Sequence, residues 1–395
     1  MSARDVVITG IGLVSSLGEG TDSHWQKLSV PGVKPVVDEA RYAPYVVHPM
    51  PEIDWSLQIA KRGDQRQMEN WQRLGTYAAG LALDDAGMKN DDALCSTMDM
   101  IVAAGGGERD EAVDQDILDA SATRNDRDVL LNEKLTTELR PTLFLAQLSN
   151  LLAGNISIVH KVTGSSRTFM GEEGAGISAV ETAAARIRSG QSTHALVGGA
   201  FQTEHSDMLL AYELGGYLHR GPWKSVWDRE GSEGGGVITG SGAAFLVLES
   251  REHAEQRQRN IYAAIGPVAS ARNSRTDDSL TSGIATLIRQ TGATMRDFLL
   301  LSGASGAHRA TAAERSALAE AGDFAVRGIS SVTGHMKEAQ FPFAIALAAL
   351  AIKNRAGYPP IDPANEAAFN GVPETVLATA IGYHRFEGVA LVRAA

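Results

Sequence analysis

The sequence predicts an α/β fold composed of two halves with similar topology. Short apolar segments typical of buried strands alternate with longer helical segments along all 395 residues. The order of these segments occurs twice, and the segment at 261–271 (IYAAIGPVASA) resembles that at 6–16 (VVITGIGLVSS). Because alternating strands and helices favour a layered α/β arrangement, the repeat indicates two related units. We place them at residues 1–255 and 256–395.

The first half opens with an apolar strand that runs into a glycine turn, and its later strands also end in glycines. Apolar residues at helical spacing indicate the helices between these strands. Two neighbouring apolar segments near the end of this half indicate a closing hairpin. The predicted elements are strands at 6–14, 98–104 and 194–197, helices at 70–86, 141–153 and 175–188, and a hairpin of 237–239 with 243–248.

The second half repeats this order, with strands at 261–271, 298–302 and 389–392 and a helix at 335–354. The helices at 175–188 and 335–354 are rich in alanine and lack a polar face, so both are predicted to be buried. Pro342 predicts a kink in the second of them. Because both helices follow strand ends, we expect a ligand pocket between the two halves.

The composition argues against several classes of protein. Asp and Glu total 47 against 36 Lys and Arg, which gives a net charge of −11. Without basic stripes, this balance argues against binding to nucleic acid or to anionic lipid. The single cysteine, Cys95, excludes a disulfide framework and CxxC metal sites.

Neither a membrane span nor a targeting segment is indicated by the sequence. The longest apolar stretch, 343–352, is too short to cross a bilayer. Residues 1–5 run directly into the first strand and leave no room for a signal peptide. We therefore expect a cytoplasmic protein that does not insert into a membrane.

Four segments carry a resemblance to a known family: VVITGIGLVSSLG (6–18), GEEGAGISAVETAAARIRSGQSTHALVGGA (171–200), WDREGSEGGGVITGSGAAFLVLES (227–250) and VTGHMKEA (332–339). In this order and spacing the chain resembles the elongating β-ketoacyl-[acyl-carrier-protein] synthases, from about Asp5 to the C-terminus. The resemblance implies the thiolase fold, in which two pseudo-symmetric halves form five layers, αβαβα. It also implies which positions carry catalysis in the family.

The family's nucleophile is a cysteine at the elbow before the buried helix of the first half. Counting without gaps from Gly164 forward, and from Gly176 and Gly190 backward, places this position at Glu173. A carboxylate there cannot form the thioester that condensation requires. Cys95 lies far from this motif in the sequence and does not replace the nucleophile.

Further departures from the family lie in the second half. Counting back from the retained Glu314, the family's first histidine falls on Gly303, and the nearby His308 is out of register. The family's lysine, five residues before the second histidine, falls on Ser330. Only Glu314 and the second histidine, His335, are retained. Because several catalytic positions are lost together, we expect a site without condensing activity.

The glycine loop that gates the pocket in the family reads IGYHRF here (381–386). His384 and Arg385 replace its tandem glycines. What remains of the pocket or tunnel is expected to be lined by Glu172, Glu173, His335, Tyr383 and His384.

Two interpretations of Glu173 are open. A carboxylate at a helix N-terminus is stabilised by the helix dipole and by backbone N–H groups, so Glu173 is interpreted as a plug that seals the pocket. Alternatively it decarboxylates malonyl groups, as family members with a glutamine at this position do. A shift of one residue in register would give either role to Glu172. His335 is interpreted either as a general acid/base or as an inherited buried histidine.

Two further patterns are too incomplete to indicate a cofactor or a metal. Gly10-x-Gly12 lacks the third glycine of the dinucleotide fingerprint, because Ser15 stands there. The acidic residues Asp228, Glu230 and Glu233 lack the spacing of a calcium loop. We therefore expect neither a cofactor nor a bound metal.

The acidic stretch from Glu108 to Glu138 aligns with the region at the family's dimer interface. Its apolar residues Ile117, Leu118, Leu130 and Leu131 are predicted to face a partner and to set the depth of the tunnel. The alternative is a solvated excursion on the surface.

These features resemble the chain length factors, the cysteine-lacking subunits of type II polyketide and polyene systems, with those of aryl polyene clusters the nearer likeness. The resemblance implies a heterodimer with a catalytic β-ketoacyl synthase, which is served by an acyl carrier protein. Two alternatives remain open: a malonyl-thioester decarboxylase that uses Glu173, and a homodimeric acyl-binding scaffold.

Overall fold

The computed structural model describes residues 4–107, 109–293 and 298–395. Glu108, the first residue of the predicted interface stretch, lies outside the described residues, as do residues 1–3 at the start of the predicted first half. Within the described part of the chain, no helix is long and apolar enough to cross a membrane.

Strands and helices alternate along the chain, as the sequence predicts. The strands are β1 (Val6–Ser15), β2 (Gly18–Glu19), β3 (Val47–His48), β4 (Asp99–Ala103), β5 (Ser166–Phe169), β6 (His194–Phe201), β7 (Thr239–Gly240), β8 (Gly242–Ser250), β9 (Ala263–Ala271), β10 (Phe298–Ser302), β11 (Phe324–Gly328), β12 (Thr375–Ile381) and β13 (Glu387–Arg393). The α-helices are α1 (Gly20–Leu28), α2 (Arg62–Gln67), α3 (Asn70–Asp85), α4 (Asp92–Thr97), α5 (Glu111–Ser121), α6 (Arg127–Thr137), α7 (Pro141–Ala146), α8 (Leu151–His160), α9 (Glu173–Arg188), α10 (Ser206–Leu214), α11 (Arg251–Gln256), α12 (Ser279–Gln290), α13 (His308–Ala321), α14 (Ser330–Thr333) and α15 (Gln340–Lys353). Short 3₁₀ turns lie at Trp55–Leu57, Val226–Asp228 and Lys337–Ala339.

The long strands form one mixed sheet of 11 strands in the order β11-β10-β12-β13-β9-β1-β8-β6-β4-β5, with β2 paired to β1. The five long strands of the first half (β1, β4, β5, β6, β8) and those of the second (β9 to β13) follow one plan. In each half the spatial order is third, second, fourth, fifth, first. The halves meet where β1 and β9 pair antiparallel. The division at residues 255 and 256, which falls inside α11, stays a prediction.

Two helices, α9 and α15, pack against each other and against strands of both halves. Every residue of α15 from Gln340 to Ile352 is buried, as predicted. The prediction was wrong for α9, because Glu181, Ala185 and Arg188 are exposed along one side of that helix. These three residues lie at i, i+4 and i+7, so α9 is buried on one face only.

The kink at Pro342 was predicted for the interior of the second central helix, but this helix begins later than expected. Its first residue is Gln340, and Pro342 therefore lies in the first turn, where the missing N–H would have no partner within the helix. The residues before Gln340 have other backbone conformations. The backbone of His335 bridges to Thr239, and Lys337–Ala339 forms a 3₁₀ turn.

Two other predicted elements were wrong. The helix expected at 141–153 is divided into α7 and α8. The expected hairpin at 237–248 does not form, because β7 pairs in parallel with β3 while β8 lies between β1 and β6. Sequence proximity suggested that the two strands pair, but each finds its partner far away in the chain.

The glycine pair Gly10-x-Gly12 lets α3 lie directly on β1. A Cβ on Gly10 would meet the carbonyl oxygen of Ala82 at 2.3 Å, and one on Gly12 would meet that of Ala78 at 1.9 Å. Both distances are far below van der Waals contact. Close packing of strand and helix therefore explains these glycines without a nucleotide.

We expect Gly12→Ala to lower the free energy of unfolding by about 3 kcal/mol or more, since an added methyl group must push helix backbone away. Chemical denaturation monitored by circular dichroism measures the change. Gly63→Ala is the matched control, because no atom lies within 4 Å of its added Cβ. An equal loss in both variants would contradict the packing explanation.

Candidate functional site

The chain makes a sharp turn between β5 and α9, at the position that the motif register predicts for the family's nucleophile. Gly171 has φ of 131°, and Glu172 has φ of 60° with ψ of −135°. Such a backbone is disfavoured for a residue with a Cβ and costs about 1–3 kcal/mol, so surrounding contacts must hold it. One such contact is the hydroxyl of Tyr383, which donates to Glu172 Oε1 at 2.6 Å. Glu173 then begins α9.

Glu173 and His335 form a hydrogen-bonded pair in the interior. Glu173 Oε1 lies 2.5 Å from His335 Nε2, and both side chains are fully buried. The histidine is held by its backbone, since its N–H donates to Ile238 O at 2.8 Å and its carbonyl accepts from Gly240 N at 3.0 Å. Burial favours the neutral acid, but the charge and hydrogen bond of His335 outweigh it and lower the pKa of Glu173.

The Glu173–His335 pair is under-satisfied in hydrogen bonds. Glu173 Oε2 and His335 Nδ1 are both buried, and neither has a hydrogen-bond partner among the described residues. Each buried polar group left without a hydrogen bond in this way lowers the free energy of unfolding by about 1–3 kcal/mol. The pair is therefore held by its neighbours rather than by a saturated network.

Tyr383 closes the site from the loop after β12. Its ring lies 6.2 Å from that of His335 in an edge-on arrangement and packs against Tyr212 and Tyr217 at 4.9 and 4.6 Å between ring centres. Burial and the carboxylate of Glu172 raise the pKa of Tyr383. The phenol therefore stays protonated and serves as a donor to Glu172.

The loop that carries Tyr383 is fixed by a buried arginine–carboxylate contact. Arg275 Nη2 donates to Gly382 O and to Phe386 O at 2.9 Å each, and Arg275 Nη1 lies 2.8 Å from Glu387 Oε2. His384, in contrast, is exposed, with Nδ1 3.3 Å from the hydroxyl of Tyr217. Of the residues predicted to line the pocket, Glu172, Glu173, His335 and Tyr383 come together, whereas His384 lies on the outer rim.

Sequence reasoning missed two charged residues, Lys337 and Glu338, directly after His335. Glu338 is only 2% exposed, and burial, together with the charges of Glu173 and Glu172, raises its pKa. Lys337 Nζ lies 5.6 and 5.3 Å from the ring centres of Phe201 and Tyr212. The available signal was a pair of charges immediately before an entirely apolar segment, which places them near the core.

A separate hydrogen-bonded chain contains Gly303, the predicted position of the family's first histidine, and Glu314. Gly303 N donates to Thr379 Oγ1 at 3.2 Å, and Thr379 Oγ1 donates to Glu314 Oε1 at 2.5 Å. A Cβ on Gly303 would meet Thr379 O at 2.4 Å, so no side chain fits there without movement of the backbone. Burial raises the pKa of Glu314 to about 7.

Ser330 is buried at the start of α14, and both its hydroxyl and its carbonyl have a hydrogen-bond partner. Its hydroxyl accepts from Gln340 Nε2 at 3.4 Å, and its carbonyl accepts from Arg229 Nη2 at 3.4 Å. Arg229 is fully buried, and desolvation lowers its pKa to about 9. The guanidinium thus lies near Ser330, the position predicted for the family's lysine.

Cys95 lies far from Glu173 in the sequence, and its surroundings do not activate the thiol. Its thiol is buried in α4, lies 3.3 Å from Met88 O, and has a pKa raised first by burial. A neutral, buried thiol is a poor nucleophile. The site at the start of α9 therefore holds a carboxylate–imidazole pair and no sulfur.

One group of possible metal ligands, Glu111, His205 and Asp207, occurs among the described residues. Glu111 accepts from Ser206 N at 3.1 Å, and Asp207 accepts from Arg109 N at 3.3 Å. These contacts tie the start of α10 to the segment before α5. The cluster therefore has a structural explanation and lies apart from Asp228, Glu230 and Glu233.

The residues predicted for an interface lie on α5 and α6, which pack against each other. Leu118 is 64% exposed, and Ile117 and Leu131 are half-buried. Leu130 is only 1% exposed, because it is packed inside the chain. Leu130 is therefore covered by this chain itself, and the assignment of the four residues to an interface stays a prediction.

Comparison with known proteins identifies the family. The family model described as "Beta-ketoacyl synthase, N-terminal domain" matches residues 3–254. The chain therefore belongs to the β-ketoacyl synthase family.

Two curated relatives illustrate the range of similarity. The 3-oxoacyl-[acyl-carrier-protein] synthase 2 of Vibrio harveyi is 26% identical over 275 residues, which cover 67% of this chain and 62% of that protein. The match thus spans less than two thirds of that relative. The tetracenomycin polyketide synthase ketoacyl synthase beta subunit of Streptomyces glaucescens is 26% identical over 367 residues. These cover 88% of this chain and 86% of that subunit.

Solved structures show the same fold at low identity. The ishigamide ketosynthase/chain length factor matches with a TM-score of 0.79 at 20% identity and covers 100% of both chains. A β-ketoacyl synthase from Burkholderia phymatum matches with a TM-score of 0.78 at 20% identity over 99% of each chain. The predicted thiolase-like α/β fold is confirmed.

We expect His335→Leu to lower the free energy of unfolding by about 3–5 kcal/mol, since it leaves an ionised carboxylate buried without a partner. Glu173→Gln keeps a hydrogen bond to the histidine and loses only about 1 kcal/mol. The double variant is expected to be more stable than His335→Leu alone. Urea denaturation at pH 7 measures all three, and a double variant no better than His335→Leu would contradict the pairing.

We expect the stability of the protein to fall as pH rises from 4.5 to 7 through Glu314. Its pKa is raised from 4.5 to about 7, so the native state keeps a proton that the unfolded chain has released. Glu314→Gln removes this dependence and is expected to be more stable than the wild type at pH 8, by about 3 kcal/mol at most.

Thermal denaturation from below pH 4.5 up to pH 8 measures the effect of Glu314→Gln and of its control. Glu173→Gln is the matched control with the opposite sign. The lowered pKa of Glu173 contributes stability above pH 4.5 that is lost as pH falls below it. Parallel pH profiles for wild type and Glu314→Gln would contradict the assignment.

Proposed function

We propose that this chain is a chain length factor, a β-ketoacyl synthase homologue without condensing activity of its own. It pairs with a catalytic β-ketoacyl synthase and forms part of the wall around the growing acyl or polyene chain. The partner's cysteine carries that chain, and an acyl carrier protein reaches the site through the complex. The reaction belongs to polyketide or fatty-acid-like biosynthesis.

The observation that carries the proposal is the buried Glu173–His335 pair at the nucleophile position. Condensation in this family needs a thiol at that point, and the chain's single cysteine lies in α4. Gly303, at the family's first histidine position, has no room for a side chain. These features also argue against a decarboxylase, because the second catalytic side chain is not supplied.

The named relatives support a paired assembly. One solved neighbour is described as a ketosynthase/chain length factor, and one curated relative as the beta subunit of a polyketide ketoacyl synthase. Another solved neighbour is described as a type II polyketide synthase acyl-carrier protein in complex with its ketosynthase. By analogy with these proteins, the partner of this chain is a catalytic synthase subunit.

The outer edge of β5 is the surface that best fits such pairing. In the ladder with β4, Met100 N donates to Ser165 O at 2.8 Å and Ala104 N donates to Phe169 O at 3.0 Å. By alternation, the backbone groups of Ser166 and Thr168 point away from β4. No described segment pairs with them. An open edge of this kind is a template for adding a strand from another chain.

Apolar side chains accompany the open edge. Met170, directly after β5, is 67% exposed, and Ile158 on the neighbouring α8 is 57% exposed. Exposed apolar side chains of this size are typical of surfaces that another protein covers.

We expect Thr168→Pro to abolish one-to-one binding to the partner synthase. Proline removes the outward N–H without disturbing the ladder to β4. Thr168→Val keeps the N–H and is the matched control. Native mass spectrometry of the protein purified from its host, followed by reconstitution with each variant, measures the complex.

Three results would contradict the proposal. A wild-type homodimer with no cysteine-bearing synthase would favour the scaffold. Carbon dioxide release from a malonyl thioester by the chain alone, lost in Glu173→Ala, would favour the decarboxylase. Full binding by Thr168→Pro, with the Tm unchanged, would show that the edge of β5 is not part of the interface.

A further inference from the structure

A groove lies beside β11, the strand at the end of the sheet opposite β5. Two adjoining cavities form it, one of about 520 Å³ and one of about 470 Å³. Asp323, Phe324 and Ala367 line both cavities, so the two form one elongated space, which we call the β11 groove. Ligand sites typically have volumes of about 300–1,000 Å³, so each cavity is large enough to hold part of a ligand.

The walls of the β11 groove are mainly apolar. One face of α13 forms a wall, with residues at i, i+3, i+4 and i+7: Arg315, Leu318, Ala319 and Gly322. From β11, Phe324 and Val326 line the same cavity and are half-buried. In the second cavity, Phe369 and Val372 continue the apolar surface, and Val372 is 48% exposed. Apolar side chains left open along one groove are typical of a surface that another molecule covers.

Arg315 places a positive charge in the wall of the first cavity. Its guanidinium lies 5.7 Å from the ring centre of Trp227, and its Nη1 donates to Trp227 O at 3.3 Å. Trp227 is itself anchored, because its Nε1 donates to Glu366 Oε1 at 2.8 Å. No carboxylate in the described part of the chain lies within ion-pair distance of Arg315. The guanidinium is therefore held in position with N–H groups available to an anion.

The carboxylates near the β11 groove leave the Arg315 end open to an anion. Gly322 lies seven residues after Arg315, which is about 10 Å along a helix, and Asp323 follows it. Asp323 is thus about two helical turns away from Arg315. Asp228 and Asp362 both accept from Asn365 Nδ2, at 3.0 and 2.8 Å, and so they hold that amide. The β11 groove therefore has a positive end and an apolar body.

We propose that the β11 groove binds a free carboxylic acid with a long apolar chain. The carboxylate accepts hydrogen bonds from the guanidinium of Arg315, and the chain lies along Leu318 and Phe324 towards Phe369. A guanidinium presents parallel N–H donors that match the two oxygens of a carboxylate. An unbranched chain suits an elongated apolar space, because it contacts both cavities.

Other occupants fit the β11 groove less well. A cation would meet the charge of Arg315, and a hydrocarbon without a head group would offer the guanidinium no acceptor. An added peptide strand would need the outer edge of β11, where Gly328 N already donates to Glu366 Oε1 and Arg327 Nη1 donates to Ala367 O. A compact aromatic acid would fill only one of the two cavities.

The β11 groove is independent of the proposed pairing with a synthase. It lies at the other end of the sheet from β5, and its lining residues do not belong to the site around Glu173. A free acid is also a different species from a thioester-bound chain. Hydrolysis of an acyl thioester takes up water and releases the acid and the thiol, so a reaction of this class supplies the proposed ligand.

Isothermal titration calorimetry of the full chain with decanoate at pH 8, below its critical micelle concentration, tests the proposal. We expect one decanoate per chain, and binding of 1-decanol that is about tenfold weaker or more, because the alcohol carries no charge for Arg315. Absence of decanoate binding, equal affinity for 1-decanol, or tighter binding of 2-naphthoate than of decanoate would each overturn the proposal.

Two variants locate the bound acid. Arg315→Gln removes the charge and Ala319→Phe fills the groove from an exposed position on α13, and we expect each to weaken decanoate binding about tenfold or more. Arg289→Gln is the matched control, because Arg289 is an exposed arginine on α12 that does not line the groove, and it keeps the wild-type affinity.

Wild-type affinity in either Arg315→Gln or Ala319→Phe would show that decanoate binds elsewhere and would overturn the proposal. If Arg315→Gln fails to fold because Trp227 loses its neighbour, Ala319→Phe decides. These measurements use the chain without a synthase, so their outcome is separate from that of the pairing experiment.

Discussion

The hydrogen bond between Glu173 and His335 constrains most of the structure around it. An ionised carboxylate in the core is tolerated only with a partner, and removing either member leaves a charge without compensation. The pair therefore couples distant parts of the chain: the strained turn at Glu172, the start of α9, and the segment before α15. Since an ionised Glu173 cannot be buried without a partner, the burial of the carboxylate depends on the position of His335.

The histidine's position explains why the second central helix begins late. The backbone of His335 is committed to Ile238 and Gly240, and so it cannot take part in helical hydrogen bonds. The chain needs the Lys337–Ala339 turn before α15 begins at Gln340. His335, which looks helical in the sequence, is thus held by a bridge to the first half. Local pattern carries no information about that bridge.

The sequence was sufficient to locate a strand or helix where burial is continuous along one segment. β1, α3 and β10 lie within a residue or two of their predicted positions, because an apolar run or a helical spacing identifies each one locally. The motif register placed Glu173 at the start of α9, where the structure has it. The identity of this position with the family's nucleophile stays a prediction.

The failures have tertiary causes. Lys337 and Glu338 are enclosed by β6 and by the glycines after β4, which no local pattern reveals. The predicted hairpin failed because β8 pairs with β1 and β6 rather than with β7. In both cases the deciding contact comes from a part of the chain distant in sequence. The exposed side of α9 has a local cause instead, because Glu181 and Arg188 mark it in the sequence among alanines that are compatible with either environment.

The two ends of the sheet differ, and this difference bears on assembly. At β11, the chain covers its own edge, since Gly328 N donates to Glu366 Oε1 at 2.8 Å and Arg327 Nη1 donates to Ala367 O at 2.9 Å. At β5, no described segment covers the outward groups of Ser166 and Thr168. A sheet with one open end adds one partner and then stops, whereas two open ends would permit a chain of subunits. This asymmetry supports a closed, one-to-one complex over an open assembly.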